Sequence, residues 1–159
     1  MHNPLGVTPH KLDPAGRLKL REEERVVLDA RVVMACGFDN CINVFTLPAW
    51  GAYEAPFRTA PQGDPDMLDL RRLLLSTAEP CDIDAQGRVK IPDFLLKWSY
   101  LGENNLQAYL LQVDEGRFEC WEAGHWQQYL SERAQALKQT ARLVWGAGAT
   151  GGGGVPTGT

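Results

Sequence analysis

Residues 82–92 read DIDAQGRVKIP and residues 11–20 read KLDPAGRLKL. Both hold Asp-x-x-Gly-Arg, then Leu or Val, Lys, and Leu or Ile. The units run Asp13–Leu20 and Asp84–Ile91, 71 residues apart, each with an apolar residue just before the Asp. An Asp in this position can accept backbone N–H groups in an Asx-turn, and the Gly supplies the positive φ that closes it. Asp13, Gly16, Asp84 and Gly87 are therefore the expected turn-forming residues. The Arg leaves the turn at the start of a strand, as the alternation in RVKI predicts. Lys19 and Lys90 follow two residues later, on the same strand face as Arg17 and Arg88.

The repeat extends past these units. VFTLPAWGAY and CWEAGHWQQY align Phe45 with Trp121, Trp50 with Trp126 and Tyr53 with Tyr129, now at an offset of 76. The second copy thus carries five extra residues, placed near GENNL. Each copy reads strand, turn, strand, helix, hairpin, helix. In PDFLLKWSYLG, Pro92 suits a helix start and Phe94, Leu95 and Trp98 form the expected apolar face. LQAYLLQV and FECW are joined by DEGR, a hairpin signature. Between the copies, Asp64 is the expected N-cap of a linker helix, with Pro65 next and leucines at helical spacing. A last helix is predicted from Ala123 to Trp145, its stripe including Trp126, Tyr129, Leu130, Leu137, Ala141 and Val144. The division that follows is a first repeat over 10–62, a linker helix over 63–79, a second repeat with its C-terminal helix over 80–145, and a disordered Gly-rich tail over 146–159. Gly146, Gly148 and Gly151 spell G-x-G-x-x-G there, but they follow a helix instead of a strand, so no dinucleotide site is expected.

The 159 residues are enough to bury a real core, with 44% apolar and 23% charged residues, an ordinary globular mixture. No apolar run approaches the roughly 18 residues of a membrane helix, and the first residues lack the apolar region of a signal peptide. The expected location is the cytoplasm. Cys36, Cys41, Cys81 and Cys120 lack C-x-x-C spacing and read as buried or half-buried free thiols. The net charge of −4 does not exclude a nucleic-acid partner, because a local basic stripe matters more than the sum. Lys11, Arg17, Lys19 and Arg21 form one such stripe, and Arg88, Lys90 and Lys97 another.

A rigidly presented Arg-x-Lys pair suits phosphate, the Arg as a planar donor fork and the Lys as a point charge. The same residues also read as local ion pairs that brace a β-turn, with the lysines solvating a strand. Glu22, Glu23 and Glu24 read as a solvated helix start. His125 reads as a partly exposed helix residue, and the five tryptophans as core or interface. No G-x-S-x-G, P-loop or H-E-x-x-H occurs, so neither an enzyme nor a metal or other cofactor is expected.

LDPAGRLKL and CDIDAQGRVKIP, with GFDNCINVFTLPAW and LRRLLLSTAEPCDID between them, resemble the MraZ family, two-copy relatives of the AbrB-type transcription regulators. The resemblance covers residues 10–130. It implies an α+β fold: two tandem AbrB-like swapped-hairpin β-barrel repeats that form a pseudo-dimer, with linking and C-terminal helices. It also implies a nucleoid-associated, sequence-specific DNA-binding regulator that acts on promoter repeats of its own division and cell-wall gene cluster. Chains of the family associate into rings, and the Arg of each turn contacts DNA, which matches Arg17 and Arg88. With Lys19, Lys90 and Lys11 these make up the expected double-stranded DNA site. The family usually has Lys just before Gly-Arg, whereas this chain has Ala15 and Gln86, and LKLREEER replaces the strand ending in Ile-Pro. A structural or protein-interaction module with weakened DNA binding is the alternative reading.

Overall fold

The computed structural model describes residues 7–59 and 63–146 of the chain. Residues up to Ala123 form one compact unit and those from Gly124 a second. The first unit is α+β. Its elements are β1 (Val7–Lys11), β2 (Arg17–Lys19), α1 (Glu22–Leu28), β3 (Arg31–Cys36), β4 (Ile42–Phe45), α2 (Leu47–Thr59), α3 (Pro65–Thr77), β5 (Glu79–Asp82), β6 (Arg88–Lys90), α4 (Asp93–Trp98), β7 (Gln107–Asp114) and β8 (Arg117–Glu122). The second unit is α5, whose helix spans Ala123–Trp145. The tail expected to be disordered lies, beyond Gly146, outside the described residues.

Six strands form one antiparallel sheet in the order β1-β7-β8-β4-β3-β5, and β2 and β6 form a separate two-stranded ribbon. The two copies trade strands. β1 pairs with β7 of the second copy, β5 pairs with β3 of the first, and β2 pairs with β6 across the copies. The six-stranded sheet is open, with β1 and β5 as its edges, so no barrel closes among the described strands. Both edge strands contain a proline, Pro9 and Pro80, which cannot donate to a further ladder.

The core explains the sequence pattern of the central strands. Val32, Met34, Ile42 and Val44 join the main cluster, while Val33, Ala35 and Phe45 face a second one under Ala49, Trp50 and Tyr53 of α2. Covered on both faces, β3 reads as a continuous apolar run from Val32 to Cys36 instead of an alternating one, and β4 is buried throughout with Asn43 its one polar residue. The linker helix begins as its sequence predicts, Asp64 accepting from the Asp66 backbone N–H at 2.9 Å with Pro65 in the first turn.

The two copies keep their correspondence well beyond the motif. Asp29 and Tyr100, also 71 apart, stand just past α1 and α4 with left-handed φ values of +62° and +63°. The next strands, β3 and β7, begin at Arg31 and Gln107, an offset of 76. The five extra residues therefore fall between Tyr100 and Gln107, in the stretch where Gly102 and Asn105 bridge. The ring pairs repeat too: Trp50 and Tyr53 lie 6.1 Å apart and Trp126 and Tyr129 6.0 Å apart.

Two expectations about side-chain environment do not hold. Helix α4 has a single buried residue, Leu95, while Phe94 is 55% exposed and stacks on half-buried Trp98. Six residues are too few to present a long stripe to the core. In α1, Glu22 and Glu23 are exposed, but Glu24 is buried. Helical spacing puts Glu24 on the same inward face as Leu28. Its Oε2 lies 3.0 Å from buried His10 Nε2, and its Oε1 accepts from the Arg21 backbone N–H at 2.7 Å.

Candidate nucleic-acid interface

Each repeated motif folds on itself in the same way. Asp13 Oδ1 accepts from the backbone N–H groups of Ala15 and Arg17, at 3.0 and 2.9 Å. Asp84 Oδ1 accepts from Gln86 and Arg88, both at 2.9 Å. The Gly16 and Gly87 N–H groups donate to the Asp13 and Asp84 carbonyls, and both glycines sit at φ +80°. These backbone donors, those of Arg17 and Arg88 foremost, hold both carboxyls below their usual range.

The guanidinium groups are held by the same carboxylates. Arg17 Nε donates to Asp13 Oδ2 at 2.6 Å, and Arg88 Nε to Asp84 Oδ2 at 3.0 Å. Only Nε is engaged, so the two Nη groups of each fork have no partner among the described residues. The Asp thus braces the turn and orients the Arg at once.

Pairing of β2 with β6 brings the two motifs together. Arg17 stands opposite Lys90, Leu18 opposite Val89, and Lys19 opposite Arg88. Because side chains alternate, Leu18 and Val89 are buried beneath the ribbon and all four cations share its other face. Leu20 N–H donates to the Gly87 carbonyl at 2.8 Å and Ile91 N–H to that of Gly16 at 3.0 Å, which ties each strand to the opposite turn. Two like-charge cross-strand pairs are an arrangement that disfavours folding. Lys90 Nζ is partly offset by Asp93 Oδ1 at 3.0 Å and the Ile91 carbonyl, whereas Lys19 forms no ion pair among the described residues.

The structure gathers Arg17, Lys19, Arg88 and Lys90 but not Lys11. That residue ends β1, on the edge of the large sheet opposite Gln107. A residue that the sequence reading did not single out does reach the site. A Cβ at Gly87 would lie 2.9 Å from Arg25 Cδ and 3.1 Å from its Nε, so α1 of the first copy lays a guanidinium across the second turn. At Gly16 the corresponding neighbours are Leu96 Cδ1 at 2.7 Å and Lys90 Nζ at 3.3 Å. The signal was available in the repeat: Arg25 and Leu96 are also 71 apart. Beside the second turn, Glu22, Arg25, Val26, Asp29, Ile83 and Asp84 line an open groove of about 480 Å³.

The four cysteines are free thiols, Cys36, Cys41 and Cys120 buried and Cys81 half-buried. Among the described residues no three His, Cys, Asp or Glu side chains converge to hold a metal, and no helix is long and apolar enough to cross a membrane.

A family model described as "MraZ protein, putative antitoxin-like" matches residues 74–145, a span that includes the second turn and β6 but not the first. Proteins named transcriptional regulator MraZ match along most of their length. The one from Pelotomaculum thermopropionicum is 30% identical over 140 residues, 88% of this chain and 94% of that protein. That from Solidesulfovibrio magneticus is 34% identical over 134 residues, 81% of this chain and 86% of its own. That from Clavibacter michiganensis is 36% identical over 141 residues, with 88% and 95% covered.

Proposed function

This chain belongs to the MraZ family, and we propose that it is a transcriptional regulator that binds double-stranded DNA through the cationic face of the β2–β6 ribbon. The observation that carries this reading is the cross-strand register, Arg17 against Lys90 and Lys19 against Arg88. Folding alone disfavours that arrangement, and a polyanion offsets the repulsion. A two-stranded ribbon is narrow enough for the major groove. Arg17 and Arg88, each held at Nε, offer two free Nη groups to guanine O6 and N7 or to phosphate, while Lys19 and Lys90 contact backbone phosphates. Sequence would be read by the arginines and position set by the lysines. Lys11 is a flanking phosphate contact in this reading.

In the same reading the traded strands are those of a swapped-hairpin pseudo-dimer, with repeats over 10–62 and 80–145 joined by the linker helix over 63–79. The protein acts at the nucleoid, on promoter direct repeats upstream of its own division and cell-wall genes. It associates into a ring, in which several weak faces meet repeated sites and gain affinity through linkage. It is not an enzyme.

One set of contacts favours the alternative, a protein-interaction module with weakened DNA binding. Asp13, Asp84 and Asp93 each hold one of the ribbon's cations, and Ala15 and Gln86 stand where the resemblance places lysines. Fluorescence anisotropy with duplex DNA from upstream of the chain's own gene, across a salt series, separates the two. Binding that weakens steeply with salt and is lost in Arg17→Ala and Arg88→Ala supports the regulator. Binding no better than that of an acidic control protein leaves the interaction module.

A further inference from the structure

We infer that the two turns are unequal halves of the interface, and that Arg25 is a DNA-contacting residue of the second turn with no counterpart on the first. The inference rests on the reading of the ribbon as a DNA site. The repeat makes the comparison strict, because α1 and α4 occupy equivalent places and each lays one side chain across the glycine of the other copy's turn. That side chain is Arg25 over Gly87 and Leu96 over Gly16. Lys97 does not restore the charge. It stands at the equivalent of Val26, one position on from Leu96 and so about 100° round the helix.

The cations around the two turns differ in what already holds them. At the first turn, Arg17 is paired with Asp13, and Lys90, close against Gly16, is bonded to Asp93 and the Ile91 carbonyl. At the second, Arg88 is paired with Asp84, but Lys19 across the ladder and Arg25 over the glycine form no ion pair among the described residues. Glu22, Asp29 and Asp84 line the same groove as Arg25 without forming an ion pair with it. Counted across the ladder and over the glycine alone, Arg88 has two unengaged cations, Lys19 and Arg25, and Arg17 has none, which makes the second turn the stronger phosphate anchor. The half-site under the second turn is therefore held more tightly than the half-site under the first.

Two variants make the turns alike from opposite directions: Arg25→Leu gives both an apolar cover, and Leu96→Arg gives both a guanidinium. Each is titrated, beside wild type, Arg17→Ala and Arg88→Ala, against the upstream duplex from 50 to 200 mM salt. For Arg25→Leu, the slope of log affinity against log salt is expected to become shallower by about 0.9 for each phosphate no longer neutralised. For Leu96→Arg it steepens by a similar amount. Arg25 is exposed on α1, so Arg25→Leu stays informative even if Leu96→Arg perturbs the half-buried Leu96 site. If Arg25→Leu keeps wild-type affinity and slope while Arg17→Ala and Arg88→Ala lose binding, the inequality is overturned and the proposed function stands. If wild type itself shows no salt-dependent binding, both fall together.

Discussion

Replacing Lys19 by Thr should stabilise the fold while weakening DNA binding. Lys19 lies opposite Arg88 on the exposed face of the ribbon and has no carboxylate partner among the described residues. Two unit charges about 6 Å apart in water repel by about 0.7 kcal/mol. That lies within the roughly 0.2–1 kcal/mol range of cross-strand pair effects. Thr also suits a strand better than Lys does, but that advantage is independent of salt. Repulsion is not: the screening length falls from about 10 Å at 0.1 M to about 3 Å at 1 M. Urea unfolding followed by tryptophan fluorescence, at low and at high salt, separates the two contributions. The variant should gain about 0.5–1 kcal/mol at low salt and lose most of that gain near 1 M. Lys90→Thr should gain less, because Asp93 already sits 3.0 Å from Lys90 Nζ. Both should bind DNA more weakly. A Lys19→Thr protein that is less stable at low salt, or whose gain is the same at both salts, would refute the electrostatic reading of the ribbon.

Gly16→Ala and Gly87→Ala should each cost about 1–2 kcal/mol, because both residues sit at φ +80°. Gly16→Ala should cost more, since its Cβ meets half-buried Leu96, whereas the Arg25 chain against Gly87 is exposed and can swing aside; equal urea midpoints would contradict this. Glu24→Leu alone should cost about 1–3 kcal/mol, because it strands buried His10 and removes the acceptor of the Arg21 N–H. The double variant His10→Cys with Glu24→Leu reproduces Cys81 and Leu95 of the second copy, and a double-mutant cycle should show it closer to wild type than the summed single costs. Asp13 and Asp84 have carboxyl groups shifted below the ordinary 3.8, so their stabilising effect is fully present above that pH and lost as pH falls through the lowered values. An acid titration of stability should therefore be flatter below about pH 4 in Asp13→Asn with Asp84→Asn than in wild type.

What was legible in the sequence was what short-range chemistry decides. The Asp-x-x-Gly-Arg turn closes within five residues through its own backbone donors, so it was readable, down to the φ of Gly16 and Gly87. The start of α3 at Asp64–Pro65 and the span of α5 follow equally from local caps and helical period. The environment of Glu24 was harder to read, because three consecutive glutamates look alike until helical phase turns one of them inward toward His10.

Only the tertiary structure decided which strand meets which. A motif repeated at an offset of 71 says that two ribbons' worth of Arg and Lys exist, but not that they pair with each other in antiparallel register. Ladder partners are chosen by burial of Leu18 and Val89 and by the strands traded between the copies, contacts between residues far apart in sequence. The same long-range packing lays Arg25 over one turn and Leu96 over the other. Local chemistry built two like turns, and the packing of distant segments made them one face with unequal halves.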